Sequence, residues 1–431
     1  MKKSLLFFSL LFLTATCFAE VKLVTPIEPD TQQDIFKLLS QNTANTRLLS
    51  ESQQKQDAKY FLKRFFAPWH TQSLFKKNKF SDLKRVELSN IHAFESNLGW
   101  GENFHRHNFK WIHDIVSNMD MNSFPNTNRD AITVDNTYVR VMPTIDPHYY
   151  NFKLPGEGYP FDNFQEAVIW AGTPIHVIQL SNDGAWAYVQ SPAVSGWIDI
   201  NDLAYVNRSF KSTWEDSNFA AVVVEKVPLK DSQGYFRFNA MMGSLFPVIK
   251  SNGDNDEIHI PVANLDRNVV IKKALVKKSD MKPMPLAATP YNFSLLINSL
   301  LGTPYGWGGL YFYNDCSGTL QSLFTPFGIW LPRNSAAQAE MGQVTELDNM
   351  SADNQIDTLK QAKPFLTLLY LPGHIALYVG SYNGELITFQ NLWAYIIKTD
   401  DGREGRAVLG KAALLKFYPY TSVKTEMVEL H

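Results

Sequence analysis

The sequence predicts an α+β multidomain chain: a helical N-terminal segment, two small β-barrels in tandem and a C-terminal α+β domain. Three observations predict it. Apolar residues recur at three- and four-residue spacing as far as about Asn126. Short alternating runs broken by Gly, Pro, Asn and Asp then fill the chain from about Ala131 to Lys278. Beyond the Pro-containing "KKSDMKPMPLAATPYN", helix-period and strand-period stretches mix. With 431 residues and 45% hydrophobic content, the chain can form several separate cores.

The opening "MKKSLLFFSLLFLTATCFAE" has two lysines, an apolar run from Leu5 to Leu13 and then small residues, the pattern of an export signal over 1–19. That run is too short to span a bilayer, and no later stretch approaches the roughly 20 apolar residues a transmembrane segment needs. The expected destination is the periplasm or cell envelope. A lipid anchor on Cys17 is the alternative, fitted poorly by Thr14 and Thr16. Either outcome leaves Cys316 as the sole free cysteine. The net charge of −2 shows no basic excess, so nucleic acid is not an expected partner. The 10 Trp, 18 Tyr and 29 Phe fit a binding groove or bulky cores of small domains.

The helical segment is placed over 20–128, on "DTQQDIFKLLSQN", "AKYFLKRFFAPWH" and "NFKWIHDIVSNM". The first barrel, 129–208, follows from "AITVDNTYVRVMPT", "EAVIWAGTPIHVIQL", "AWAYVQS" and "SGWIDINDLAYV", with Asn182-Asp183-Gly184 as a turn. The second, 209–280, follows from "FAAVVVEKVPL", "YFRFNAMMGSLFPVIKS", "EIHIPVA" and "VVIKKALV". A linker then leads into the last domain, 285–431.

In that domain Tyr291 to Leu301 reads as helix, and so does the stretch after Cys316, where Leu320, Leu323, Phe324 and Phe327 share a face. Asp315 and Ser317 stand at its start as cap residues, which puts Cys316 in the first helical turn. Helix N-termini stabilise a thiolate, although Asp315 opposes this by its charge, so a histidine partner is wanted. A lone thiol is either buried and inert or a kept nucleophile. Among the ten histidines, "HRH" at 105–107 with His113 lacks the cysteines or carboxylates of a metal site, and His70 reads as a helix end. His374 differs, because it opens the apolar strand "HIALYVG" directly after Leu371-Pro372-Gly373.

The next strand, "ELITFQNLW", follows Gly380-Ser381-Tyr382-Asn383-Gly384. A five-residue loop centred on Tyr382 sets His374 directly opposite Gln390 on one sheet face. A two-residue turn at Asn383-Gly384 would send Gln390 to the other face. With the longer loop, Gln390 accepts the His374 Nδ1–H and leaves Nε2 for the thiol, a papain-type arrangement.

These residues resemble a known family. "TPYGWGG…DCSG", "LPRNSAAQ" and "GHIALYVG" are similar to the NlpC-type bacterial cell-wall cysteine peptidases. "PTIDPHYYNFKLPGEGYPFDNFQ" and "SNDGAWAYVQSPAVSGWI" resemble the first bacterial SH3-like domain of the branch in which a helical stabilising segment and two SH3-like barrels precede a papain-like α+β peptidase domain. The resemblance implies Cys316 as nucleophile, His374 as base then acid, Gln390 as third member where the family more often has His, and Tyr305 beside the oxyanion hole. It further implies that Asp315, Ser317 and Ser335 hold the free amino end of a stem peptide, with cap roles as the structural alternative, Ser335 capping in a box with Gln338. The first barrel would wall the groove, with Asp183, Trp186 and Trp197 as candidates there or as turn and core residues. The implied reaction is cleavage of the γ-D-glutamyl–diamino acid amide in stems with a free N-terminal L-Ala, with peptidoglycan stem peptides or muropeptides as the partners and no metal or organic cofactor. The alternatives are a non-catalytic binder of wall fragments and a papain-like amidase or acyltransferase.

Overall fold

The computed structural model describes residues 24–38, 43–70, 78–419 and 424–430, so the export signal over 1–19 and Cys17 lie outside the described residues. Among the described residues, no helix is long and apolar enough to cross a membrane.

The N-terminal segment is helical where the spacing is backed by caps. Ser50 caps helix Glu51–Phe65 by accepting from the Gln53 N–H, and Asn108 caps helix Phe109–Asn118. A third helix spans Asn78–Ser96. The helical spacing in "DTQQDIFKLLSQN" instead yields, in its described part, a single 3-10 turn at Ile35–Lys37. Here the Gln33 side chain exchanges hydrogen bonds with the backbone of Leu414, and Val24–Pro26 pairs in parallel with strand Glu404–Lys416. The segment is bound along a sheet edge, and that tertiary pairing overrides local helical preference.

The first barrel is a seven-stranded sheet, in spatial order Gln165–Ile169, Thr137–Arg140, Ser195–Asp199, Trp186–Gln190, Pro174–Leu180, Arg129–Thr133, Leu203–Tyr205. The predicted turn at 182–184 joins two of them, with Gly184 at φ 70°. In the second barrel one sheet runs Val269–Lys277, Asn255–Ala263, Leu245–Asn252, Phe219–Val222, Met281–Pro283, beside hairpin Lys226–Lys230/Phe236–Met241. Met281–Pro283 comes from the stretch read as linker, recruited by antiparallel pairing with Phe219–Val222.

The last domain sets helices Pro290–Leu300 and Cys316–Phe324 against a sheet whose middle strands are Glu385–Lys398, His374–Tyr382 and Thr367–Leu371. Leu320, Leu323 and Phe324 are buried, and Phe327, in a 3-10 turn just past the helix, joins the same core by stacking on Phe293 at 3.9 Å. The aromatic content finds its use between the parts. Phe61 and Trp69 of the helical segment, Ile132 of the first barrel, Phe219 of the second and Trp330 of the last domain share one buried cluster.

Candidate active site

Cys316 opens helix Cys316–Phe324, capped by Asp315, whose Oδ1 accepts the Gly318 N–H at 2.8 Å. The glycines of "GWGG" have a definite cause. A Cβ on Gly308 would lie 2.5 Å from the Gln165 carbonyl oxygen, and one on Gly309 2.5 Å from Val168, so only glycine lets the first barrel approach the chain leading to Cys316.

Cys316 is 7% exposed, and the backbone N–H groups of Ile375 and Ser317 lie where they favour its thiolate. The sulfur therefore lies against the peptide that follows His374. Among the described residues no hydrogen bond joins it directly to the imidazole. Burial, followed by the nearby Asp315 charge, pushes the Cys316 thiol up to about 12. Burial also lowers the His374 pKa, against the opposing effects of Gln390 and Asp315. The helix terminus alone does not suffice to stabilise a thiolate, as expected from the opposing charge of Asp315. Desolvation is the larger effect and favours the neutral thiol and, at His374, the neutral imidazole.

The hairpin differs from the expected one. Asn383 and Gly384, at φ 50° and 83°, form the two-residue turn, with Tyr382 opposite Glu385. Both residues tolerate positive φ, which suits the twist of the flanking strands. Uninterrupted, that register would put Gln390 on the wrong face. The ladder shifts by one residue between Tyr378 and Gly380, so Leu377 pairs with Phe389 and the parity is restored. His374 and Gln390 are then diagonal neighbours, joined by Nε2 to Oε1 at 2.6 Å.

The nitrogen involved is Nε2, where Nδ1 was expected. The orientation follows from a chain of donors: Thr388 Oγ1 donates to the Leu415 carbonyl and so accepts from Gln390 Nε2 at 3.0 Å, which turns Gln390 Oε1 to accept the imidazole N–H. Nδ1 is left as the basic nitrogen. Tyr305 is half-buried, and desolvation, then the nearby Asp315 charge, raise its pKa well above the ordinary value.

Beside this neutral group lies a charged one. Arg333, missed in the sequence, pairs bidentately with Asp315 (Nη1–Oδ1 3.0 Å, Nη2–Oδ2 2.6 Å) and donates to Ser317 Oγ at 3.1 Å. Ser317 Oγ donates in turn to Asp315, and the Gly308 N–H reaches Asp315 Oδ2. Asp315 thus presents no free carboxylate to an ammonium group. The signal was available: a buried aspartate demands a counter-charge, and Arg333 stands within the quoted "LPRNSAAQ". Ser335 is not the cap of its helix; Asn334 is, accepting from the Ala337 N–H, while Gln338 Nε2 donates to the carbonyls of Ser317 and Pro332.

The barrel residues separate. Trp197 is fully buried and donates its ring N–H to Glu87 of helix Asn78–Ser96, so it faces no groove. Asp183 accepts from Ser181, Ala185 and Asn118, which ties its turn to helix Phe109–Asn118. Trp186 alone lines a cleft of about 770 Å³ with Asp135, Tyr138, Asp202, Tyr311 and Phe312 between barrel and last domain. Closer to Cys316 the barrel acts through polar contacts, since Gln165 Nε2 donates to the Gly308 carbonyl and Trp307 Nε1 to that of Asp162. His107 stacks on Trp111 at 3.6 Å, a packing role, and among the described residues no cluster suits a metal.

Comparison with known proteins gives four matches along the chain: the NLPC_P60 N-terminal stabilising domain over 5–124, an SH3 domain of SH3b1 type over 147–199, an SH3 domain of SH3b2 type over 207–252, and the NlpC/P60 family over 302–391. A solved structure described as a novel NlpC/P60 endopeptidase from Photobacterium damselae subsp. piscicida is similar over 94% of this chain and 98% of its own, at 27% identity and a TM-score of 0.85. A γ-D-glutamyl-L-lysine dipeptidyl-peptidase of Bacillus subtilis (strain 168) is 36% identical over 86 residues, 19% of this chain. That match spans 26% of the relative's own length.

Proposed function

The chain belongs to the NlpC/P60 family, and from that premise we propose that it is a cysteine peptidase of peptidoglycan stem peptides, cutting the amide between γ-D-Glu and the diamino acid. The carrying observation is the Cys316 sulfur held at a helix N-terminus against the backbone beside His374, whose ring is fixed by Gln390. The neutral resting pair supports general-base catalysis over a preformed ion pair. As Cys316 Sγ attacks the γ-carbonyl carbon, its proton passes to His374 Nδ1. The C–N bond then breaks as the imidazolium gives that proton to the leaving amine. Water, deprotonated by the same imidazole, opens the thioester, releases the γ-carboxyl product and returns the thiol. The Tyr305 hydroxyl and the Cys316 backbone N–H are the donors assigned to the oxyanion.

The name of the Bacillus relative supports a γ-D-glutamyl bond as the target. Arg333 already answers the Asp315 charge, and we propose that a free amino end is tolerated without being required. Muropeptides are then substrates as well as free stems, and the site of action is the periplasm or envelope. The test is incubation of purified protein with L-Ala-γ-D-Glu-diamino acid. Free diamino acid should appear and should vanish in Cys316→Ala; release that persists in that variant refutes the assignment.

A further inference from the structure

Asn391 follows Gln390 on strand Glu385–Lys398, and its side chain points toward the helix side of the sheet. It is 1% exposed. Its amide nitrogen donates twice, to the Asn314 carbonyl at 2.7 Å and to Thr319 Oγ1 at 3.1 Å. Asn314 precedes the Asp315 cap and Thr319 lies in the first turn of the helix, so the two acceptors bracket Cys316 in sequence. The Asn314 carbonyl also accepts the Gly306 N–H, and the Asn314 side chain donates to Ser322 Oγ, so that carbonyl is held in place from both directions.

The other half of the amide is unusual. Asn391 Oδ1 is buried and has no hydrogen-bond partner among the described residues. A buried unpaired carbonyl is destabilising, and an apolar residue of similar volume would avoid that cost. Stability alone thus gives little reason for an asparagine here, whereas two well-directed donors give a geometric one.

We propose that Asn391 is a positioning residue that fixes where the nucleophile's helix begins relative to the strand carrying Gln390. One peptide bond then couples two settings: Gln390 orients the imidazole on one face, and Asn391 places the sulfur from the other. An error of about 1 Å between reacting atoms is enough to cost on the order of a hundredfold in rate, so a rigid link of this kind has a direct effect on chemistry. This rests on the proposed Cys316–His374 mechanism, and its readout is chosen to be independent of peptidoglycan hydrolysis.

The experiment is alkylation of Cys316 by iodoacetamide across pH, in the full chain, for wild type, His374→Ala, Asn391→Leu and Thr319→Val. In wild type the rate at neutral pH should contain a part that His374→Ala removes. Asn391→Leu keeps the volume and removes both the donors and the orphan oxygen. The His374-dependent part should fall about tenfold or more while the melting temperature stays near that of wild type, and Thr319→Val should show a smaller loss in the same direction. An unchanged profile in Asn391→Leu overturns the proposal, as does a rate loss that only tracks unfolding. If Asn391→Leu does not fold, Thr319→Val decides: a wild-type profile there overturns it. Failure of wild type to hydrolyse any stem peptide would refute the proposed function and leave this result standing.

Discussion

Two clusters meet at the start of helix Cys316–Phe324 and are electrically opposite. In the Cys316–His374–Gln390 line, burial keeps thiol and imidazole neutral, and hydrogen bonds are spent on orientation. In the Asp315–Arg333–Ser317 group, charge is fully present and fully answered: a bidentate ion pair whose carboxylate also takes the N–H groups of Gly308 and Gly318. Asp315 and Cys316 are adjacent in sequence yet do unlike work. The saturated pair secures the cap and the Gly-rich approach under the first barrel, while the neutral pair keeps a proton it can still transfer. A buried ion pair left half-satisfied is costly, and a buried nucleophile already ionised would have a weaker drive to react only when substrate arrives.

The largest expected effect lies in the neutral line. His374→Ala should lower kcat/KM by about 10²–10⁴-fold, the span of general acid–base catalysis. Gln390→Ala removes the neutral hydrogen bond that orients the imidazole, worth about 0.5–1.5 kcal/mol, together with its own anchor on Thr388, and should cost on the order of tenfold. Steady-state kinetics on the stem tripeptide checks both. Equal losses would mean that the amide does more than orient the ring, and the contrast drawn here would have to be redrawn.

The charged group should respond in stability before activity. Arg333→Met strands Asp315 without its counter-charge and should destabilise the chain by ~3–5 kcal/mol. The double variant with Asp315→Leu should recover most of that, less about 1 kcal/mol for the lost cap. Denaturant unfolding of both variants reads the difference. A double variant as unstable as the single one would show that the pair contributes net stability and is not simply compensated.

Much of this was legible in the residues. The capped helix at Cys316 and the succession of folded parts follow from local rules of spacing, caps and turns, and the family matches agree on the succession. What escaped depended on contacts between distant parts. Asn383-Gly384 carried the correct turn signal, but the compensating shift near Gly380 comes from packing across the sheet and has no local mark. The imidazole nitrogen facing Gln390 was set by Thr388 and Leu415, a relay readable only once strands Glu385–Lys398 and Glu404–Lys416 are paired. Depth of burial was hidden too, and it adds to the opposition that Asp315 offers to a thiolate. Trp197 misled for the same reason: an aromatic in a barrel can wall a groove or fill a core, and Glu87 on a distant helix decides it.

The smallest expected effect tests whether Asp315 retains any role toward substrate. If it gripped the ammonium of an N-terminal L-Ala, blocking that amine would leave a desolvated carboxylate without its partner, a loss of about 2–5 kcal/mol. With Arg333 already supplying both donors of a fork to the same carboxylate, the amine has little to add. N-acetylation of the stem tripeptide should therefore lower kcat/KM by less than about tenfold, and mainly through KM. A loss beyond about a hundredfold would show that substrate displaces or shares Arg333, and the charged group would then have to be counted as part of the recognition apparatus.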